Sequence, residues 1–86
     1  MFYVYILLSL KDGKLYIGFS SDLRRRLQEH KTGGSKSTKC RVPFKLLYYE
    51  AHTSEKDARR REKYFKTDKG KSTLKLMLRE GLNLKS

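Results

Sequence analysis

Five side chains in this 86-residue sequence are of the types that phosphodiester hydrolysis uses: Tyr5, Tyr16, Arg26, His30 and Glu62. Cleavage of a phosphodiester builds negative charge around phosphorus. A guanidinium and a divalent ion stabilise that charge more in the transition state than in the ground state. A tyrosine with its ordinary pKa of about 10 is a poor base at neutral pH, so a neighbouring imidazole such as His30 would have to assist it. The set is therefore suited to metal-assisted hydrolysis.

Arg26 and His30 fall on a helix face that would otherwise be apolar. The segment 22–32 follows a Ser-Ser-Asp capping cluster and precedes two glycines, which predicts a helix of that length. Its stripe at i, i+3, i+4 and i+7 is Leu23, Arg26, Leu27 and His30. Half of the face predicted to be buried is thus ionisable, and such departures from the apolar pattern are expected at functional sites.

The tyrosines are predicted to share one face of an N-terminal β-hairpin. Residues 2–10 and 15–19 are rich in β-branched and aromatic side chains, with Asp12-Gly13 between them as a turn. With a two-residue loop, the numbers of cross-strand partners sum to 25, and the opposite, aliphatic face forms the main core. Gly18 leaves a gap on the tyrosine face, which suits a structural role. That face carries Tyr3, Tyr5, Leu7, Tyr16 and Gly18.

The remainder of the sequence adds one strand and two helices. Residues 44–50 have the pattern of a strand, and residues 55–66 follow a Thr-Ser capping pair and have the pattern of a helix. Residues 68–71 are predicted to break the helical pattern. A last short helix is predicted over 74–80, with Gly81 just beyond its end. The predicted fold class is therefore a mixed α/β (α+β) arrangement.

Charge and composition favour a nucleic-acid partner over an anionic membrane or an acidic protein. Lys and Arg number 21 against 9 Asp and Glu, which gives a net charge of +12. Cys40 is the only cysteine, so a disulfide framework is excluded, and His52 has no ligand-like partner at a useful spacing. No apolar run approaches the roughly 18 residues that span a bilayer. We expect one cytoplasmic domain over residues 1–86 that does not enter membranes.

The ordered set of residues resembles the GIY-YIG nuclease family. Its two triplets are present as Tyr3-Val4-Tyr5 and Tyr16-Ile17-Gly18. Arg26 follows Tyr16 of the second triplet, and His30 follows Arg26 on the same predicted helix. Glu62 ends the run Arg60-Arg61-Glu62. The resemblance covers nearly the whole chain and is to small stand-alone bacterial members, which are similar to the N-terminal domain of bacterial excinuclease C.

The resemblance implies a fold, a reaction and a role for each residue. The fold is a three-stranded antiparallel sheet, the N-terminal hairpin plus a third strand, flanked by about three helices. The reaction is hydrolysis of DNA phosphodiesters with one divalent metal ion, Mg²⁺ or Mn²⁺. Glu62 would hold the metal and Arg26 would contact the scissile phosphate. Tyr5, Tyr16 and His30 would transfer a proton or position the attacking water.

The first triplet is Tyr-Val-Tyr in place of Gly-Ile-Tyr, which keeps the tyrosine, and two positions outside the triplets also depart from the family pattern. Phe19 stands where excinuclease-like members have a lysine, and Leu74 stands about where many members have an asparagine. The alternative is therefore a nucleic-acid-binding domain that keeps the fold but cuts weakly or not at all. A third interpretation is a basic ribosome- or protein-associated domain. Candidate nucleic-acid contacts are Arg24, Arg25, Lys36, Lys39, Arg41 and Lys45.

Each candidate residue also has an ordinary structural interpretation. Arg26 could be a solvated helix charge, and His30 could stabilise the end of its helix as a cation. Glu62 could be the ion-pair partner of Arg61 or Arg26.

The expected substrate class is DNA, including branched or damaged DNA, with RNA left open. A protein partner or a homodimer would have to supply targeting, because so short a chain leaves no space for a recognition domain.

Overall fold

The computed structural model describes residues 1–32 and 42–82. The strands are β1 (Phe2–Ser9), β2 (Leu15–Ser20) and β3 (Phe44–His52). The helices are α1 (Leu23–Thr32), α2 (Glu55–Phe65), α3 (Asp68–Met77) and the short α4 (Arg79–Leu82). The predicted strands and the first two helices are present, with their ends moved by one or two residues.

The three strands form one antiparallel sheet in the order β2-β1-β3. The first strand lies in the middle, so its side chains are covered on both faces, and every residue of β1 from Val4 to Ser9 is buried. The predicted three-stranded antiparallel sheet is confirmed. Within the described residues, four helices flank it, counting the single turn of α4. No helix within the described ranges combines the length and the apolar character needed to cross a membrane.

The predicted hairpin register is wrong by two residues. Tyr5 pairs with Gly18, so the partner numbers 5 and 18 sum to 23. The reason is a longer turn: the Ser9 N–H donates to the Lys14 carbonyl at 3.0 Å, and Gly13 adopts a left-handed φ of 71°. A shift of two residues leaves each side chain on its predicted face, because the side-chain period of a strand is two.

The main core lies on the aliphatic face of the sheet, as predicted. Helices α2 and α3 cover this face, and α1 lies on the other, where it meets the tyrosines. Ser54 caps α2 by accepting a hydrogen bond from the Asp57 N–H. The buried core cluster consists of Val4, Ile6, Ile17, Ala58, Phe65 and Leu74.

The C-terminal region differs from its prediction. Residues 68–71 do not form a break between helices. They begin α3, because the Thr67 side chain caps this helix by accepting a hydrogen bond from the Gly70 N–H at 3.0 Å. Gly81 lies inside α4 and not after a helix end. Met77 on α3 is 42% exposed, whereas Leu74 on the same helix is fully buried. The glycine that looked like a helix breaker is a contact residue, since a Cβ on Gly70 would overlap the backbone carbonyl of Tyr64.

Gly70→Ala is expected to destabilise the fold. The added methyl group must push α3 away from the end of α2, and overpacking of this kind costs roughly 1–3 kcal/mol. Gly81→Ala is the matched control, because a Cβ there meets only the Leu47 Cδ2 at an ordinary 3.7 Å. Urea unfolding of both variants measures the difference. Equal stability of Gly70→Ala and the parent protein would contradict the described contact between the two helices.

Candidate active site

A buried hydrogen bond joins the sheet to α1 on the tyrosine face. The Tyr5 hydroxyl lies 2.8 Å from His30 Nε2, and each residue is only 1% exposed. The ring centroids are 5.6 Å apart. Because each polar group is the other's hydrogen-bond partner, the bond offsets the cost of burying both and fixes the position of each ring. The ionisable position found on the predicted helix stripe is thus turned inward onto the sheet.

The absence of a side chain at Gly18 allows this placement of Tyr5. Gly18 is the cross-strand partner of Tyr5, and an added Cβ would lie 2.8 Å from Tyr5 Cε2 and closer still to the hydroxyl end of the ring. The Tyr5 ring therefore extends across β2 over the glycine. The gap predicted on the tyrosine face is filled by a neighbouring ring, which gives Gly18 a specific structural role.

Tyr16 and Phe44 complete an aromatic cluster around His30. The His30 ring centroid is 5.1 Å from that of Tyr16 and 5.8 Å from that of Phe44, both in edge-on geometry. Tyr16 is half-buried, whereas Tyr5 is fully buried. Tyr16 therefore presents the more accessible phenol. Phe44 was not predicted as a site residue, although its place at the start of the third strand on the tyrosine side could have suggested it.

The surroundings favour the neutral forms of Tyr5 and His30. Burial raises the pKa of Tyr5 well above its ordinary value, and Tyr16 and Glu62 raise it further, while the charge of Arg26 acts in the opposite direction. Burial also lowers the pKa of His30 from 6.5, with Arg26 adding to the effect. At neutral pH the pair is thus a neutral phenol hydrogen-bonded to a neutral imidazole.

Arg26 lies at the solvent side of this pair and is held by Glu29. Its Nη1 donates to Glu29 Oε1 at 3.2 Å, and its side chain is 41% exposed. Glu29 also acts on the pKa values of Tyr5 and His30, so it belongs to the electrostatics of the site. The helical pattern alone predicts Glu29 on the solvated face. Its i, i+3 spacing from Arg26 was the available signal for this contact.

Glu62 is turned inward and paired with residues of its own helix and the turn that follows. Its side chain is 16% exposed, 3.1 Å from Lys66 Nζ and 3.7 Å from Arg59 Nη1. The alternative interpretation, a pairing with Arg61 or Arg26, is not among these contacts, and Arg61 binds Glu50 at 2.8 Å instead. The Glu62 charge nevertheless raises the pKa of Tyr5, so the carboxylate lies within electrostatic reach of that hydroxyl although α2 packs on the opposite face of the sheet.

The chemistry of Glu62 fits a metal that needs few protein ligands. Among residues 1–32 and 42–82, no group of three His, Cys, Asp or Glu side chains could hold an ion. Mg²⁺ keeps several waters and takes only one or two protein carboxylates, with substrate phosphate oxygens completing its shell. A single carboxylate that is 16% exposed, as Glu62 is, satisfies that preference. Tight binding of a metal without substrate is not expected from this donor set.

The predicted nucleic-acid contacts are spread over different surfaces. Arg24 and Arg25 are exposed on α1, beside the cluster. Lys45 is exposed on β3 opposite Leu8, on the sheet face away from Tyr5. Lys36, Lys39 and Arg41 lie outside the described residues.

The two positions that depart from the family pattern have packing roles. The Phe19 ring lies beneath the Arg59 guanidinium, whose Cζ is 3.7 Å from the ring centroid. Leu74 is fully buried in the core. Arg59 therefore brings a cation to the surface at Phe19, close to Glu62, although the chain lacks a lysine there.

His52 has a partner that its sequence spacing did not reveal. Its Nε2 lies 3.1 Å from Glu50 Oε1, on the core side of β3, where Tyr48 and Arg61 also bind Glu50. Burial raises the pKa of Glu50, but these three hydrogen bonds outweigh that effect and hold it below its ordinary value. The alternation of positions 48, 50 and 52 on one strand face was the signal. Cys40 lies outside the described residues.

Comparison with known proteins relates the whole arrangement to one family. The sequence model of the GIY-YIG catalytic domain matches residues 1–75. A UPF0213 protein of Streptococcus agalactiae is 49% identical over 65 residues, which cover 74% of this chain and 73% of that protein. A UPF0213 protein of Staphylococcus epidermidis is 40% identical over 80 residues, covering 92% and 95%.

A solved structure agrees with the family match and with these relatives. The solution NMR structure of the UPF0213 protein of Bacillus halodurans is 38% identical, with a TM-score of 0.56, and covers 90% of this chain and 85% of that one. The resemblance inferred from the two tyrosine triplets is thus confirmed by family, relatives and fold. This chain belongs to the GIY-YIG nuclease family as one of its small, UPF0213-type members.

Proposed function

We propose that the protein is a metal-assisted endonuclease that hydrolyses phosphodiester bonds in DNA. The observation that carries the proposal is the buried Tyr5–His30 hydrogen bond beside the half-exposed Arg26, in a chain of a nuclease family. A pair of neutral proton-handling groups next to a guanidinium on a polyanion-binding surface suits hydrolysis of a phosphodiester. A purely structural site would not require an exposed cation beside a buried imidazole.

Tyr5 and His30 act as a fixed proton-handling pair. Because Tyr5 remains a neutral phenol, it serves to orient the imidazole and not as the base. Tyr16 contacts the same imidazole edge-on and is less buried, so its hydroxyl is the one that meets the attacking water. Tyr5 stays protonated, so the proton that the attacking water loses is taken up by the neutral His30 imidazole and not by the phenol.

Arg26 and Glu62 supply the electrostatic part of the reaction. The Arg26 guanidinium exchanges its contact with Glu29 for a non-bridging oxygen of the scissile phosphate. Glu62 would hold the divalent ion, which supplies Lewis-acid stabilisation of charge on the phosphate when bound. Lys66 and Arg59 balance the carboxylate in its absence.

A binding module that cuts weakly is the second candidate. The observation that favours it is the packing role of Phe19 and Leu74, since neither position offers a polar group to a substrate. Such a protein would bind DNA in a salt-sensitive manner without metal dependence. The net charge of +12 serves both candidates. In either case we propose a cytoplasmic protein whose targeting comes from a partner protein or a homodimer.

Substitution of either charged site residue, Glu62 or Arg26, is expected to slow cleavage strongly. Glu62→Gln and Arg26→Ala should each lower the rate by about 10²–10³-fold, the usual loss when one stabilising group of a transition state is deleted. Cleavage of supercoiled, branched and single-stranded DNA with Mg²⁺ or Mn²⁺ measures the effect. Glu80→Gln and Arg79→Ala, both in α4, are the matched charge controls. Cleavage that survives both site substitutions unchanged would refute the proposed site.

The pH dependence of cleavage should report on His30. Burial lowers the pKa of the imidazole from its ordinary value of 6.5. The ring therefore stays neutral and able to accept a proton down to a pH below 6.5. We therefore expect kcat/KM to fall on the acid side with a midpoint below 6.5. His30→Gln should cut more slowly and lose this acid limb. A midpoint above the ordinary histidine value, or the same limb in His30→Gln, would contradict the assigned role.

A further inference from the structure

An exposed aromatic residue lies immediately beside the buried tyrosine. Tyr49 on β3 is the cross-strand partner of Tyr5, so both lie at the same level on the same sheet face. The two differ sharply in exposure, since Tyr5 is 1% exposed and Tyr49 is 52% exposed. Tyr3, the next residue of β1 on this face, is half-buried and has its ring centroid 6.3 Å from that of Tyr49. An accessible aromatic pair thus adjoins the proposed catalytic cluster.

These rings form one wall of an open groove between α1 and β3. The Tyr5 ring extends the other way, over Gly18 on β2, and leaves the space above β3 unfilled. The groove has a volume of about 610 Å³, within the range of roughly 300–1,000 Å³ found for ligand sites. Its lining includes Tyr3, Tyr49, Leu27, Leu46, Arg24 and Lys31.

The groove combines apolar rings with cations. Leu27 and Leu46 provide an apolar lining beside the aromatic pair, and the exposed side chains of Arg24 and Lys31 belong to α1 on the opposite wall. Asp22 is the single acid among the described lining residues, and its carboxylate already accepts the Arg25 N–H as part of the helix cap. A ligand with a flat ring and flanking negative charges complements this lining.

We propose that the groove binds an unpaired nucleobase of single-stranded DNA, stacked on Tyr49, beside α1, the helix that carries Arg26. This inference rests on the proposed nuclease function, since it names the form of DNA presented to the site. A paired base cannot stack in the groove without leaving its duplex, and that step costs a few kcal/mol per base. The groove therefore selects single-stranded or locally unpaired DNA.

Charge argues against a second copy of this chain as the occupant. Self-association through this face would bring two surfaces bearing Arg24 and Lys31 together, on molecules that each carry a net charge of +12. Like charges in contact disfavour such an interface. The phosphates that flank a nucleobase meet the same cations favourably, so DNA is the better complement.

A tryptophan at position 49 provides a direct test, because the natural sequence contains none. The Tyr49→Trp substitution is made together with Glu62→Gln, and no divalent metal is added, so that binding is measured without cleavage. Addition of a short single-stranded DNA oligonucleotide should quench the indole emission by stacking. Leu76→Trp in the same background is the control, since Leu76 is 67% exposed on α3 and should show no comparable quenching.

Affinity measurements separate stacking from charge. In the Glu62→Gln background, Tyr49→Ala should weaken single-stranded DNA binding by about 5- to 150-fold, the usual loss for one stacked base, whereas Tyr49→Phe should retain it. Fluorescence anisotropy with a labelled oligonucleotide measures both. An oligonucleotide with abasic sugars should bind Tyr49→Ala and the aromatic forms alike. The salt dependence should be unchanged by Tyr49→Ala, because no phosphate contact is removed.

Three outcomes would overturn the inference. They are an unquenched Tyr49→Trp at saturating DNA, equal affinities of Tyr49→Ala and Tyr49→Phe, and quenching that depends on protein concentration without DNA, which would identify a second copy as the occupant. None of these outcomes bears on the cleavage reaction, which the Glu62 and Arg26 variants test separately. Base stacking without any cleavage by the parent protein would instead refute the nuclease and leave the groove assignment standing.

Discussion

The hydrogen bond between Tyr5 and His30 is the interaction on which the arrangement of the site depends. It joins the central strand to α1 and places two ionisable groups where water is excluded. Neither group could be buried alone without losing its hydrogen bonds to water. Gly18 makes the bond possible by leaving space for the Tyr5 ring, and the same lean of the ring leaves the groove at Tyr49 open. The packing of the Tyr5 ring over Gly18 thus determines both the Tyr5–His30 cluster and the groove at Tyr49.

The two faces of the sheet differ in composition, since one carries the apolar core and the other carries the Tyr5–His30 pair. The aliphatic face is sealed by α2 and α3, and its core cluster contains only apolar side chains in the described residues. Among the described residues, the tyrosine face is covered by α1, whose stripe has Arg26 and His30 in place of two apolar residues. Apolar burial on the other face supplies the core, so these polar positions are tolerated on α1.

Much of this could be read from periodicity, and the rest depended on contacts that periodicity does not encode. The faces of the hairpin and the inward position of His30 followed from periods of two and of 3.6 residues. The register did not, because the side chain and backbone of Ser9 organise a longer turn. Gly70 looked like a breaker since its close contact with α2 is tertiary. The partners of Glu62 and the role of Glu29 likewise depended on which neighbouring charges the fold brings near.

We propose that the Tyr5 hydroxyl serves the reaction by orienting His30. Rates of DNA cleavage by Tyr5→Phe test it most directly, because this change removes one oxygen atom and keeps the ring over Gly18. We expect a folded protein that still binds DNA but cuts about 10²-fold more slowly, the usual loss when a reacting group is misplaced by about 1 Å. Cleavage by Tyr5→Phe at the parent rate, with the fold intact, would contradict the claim.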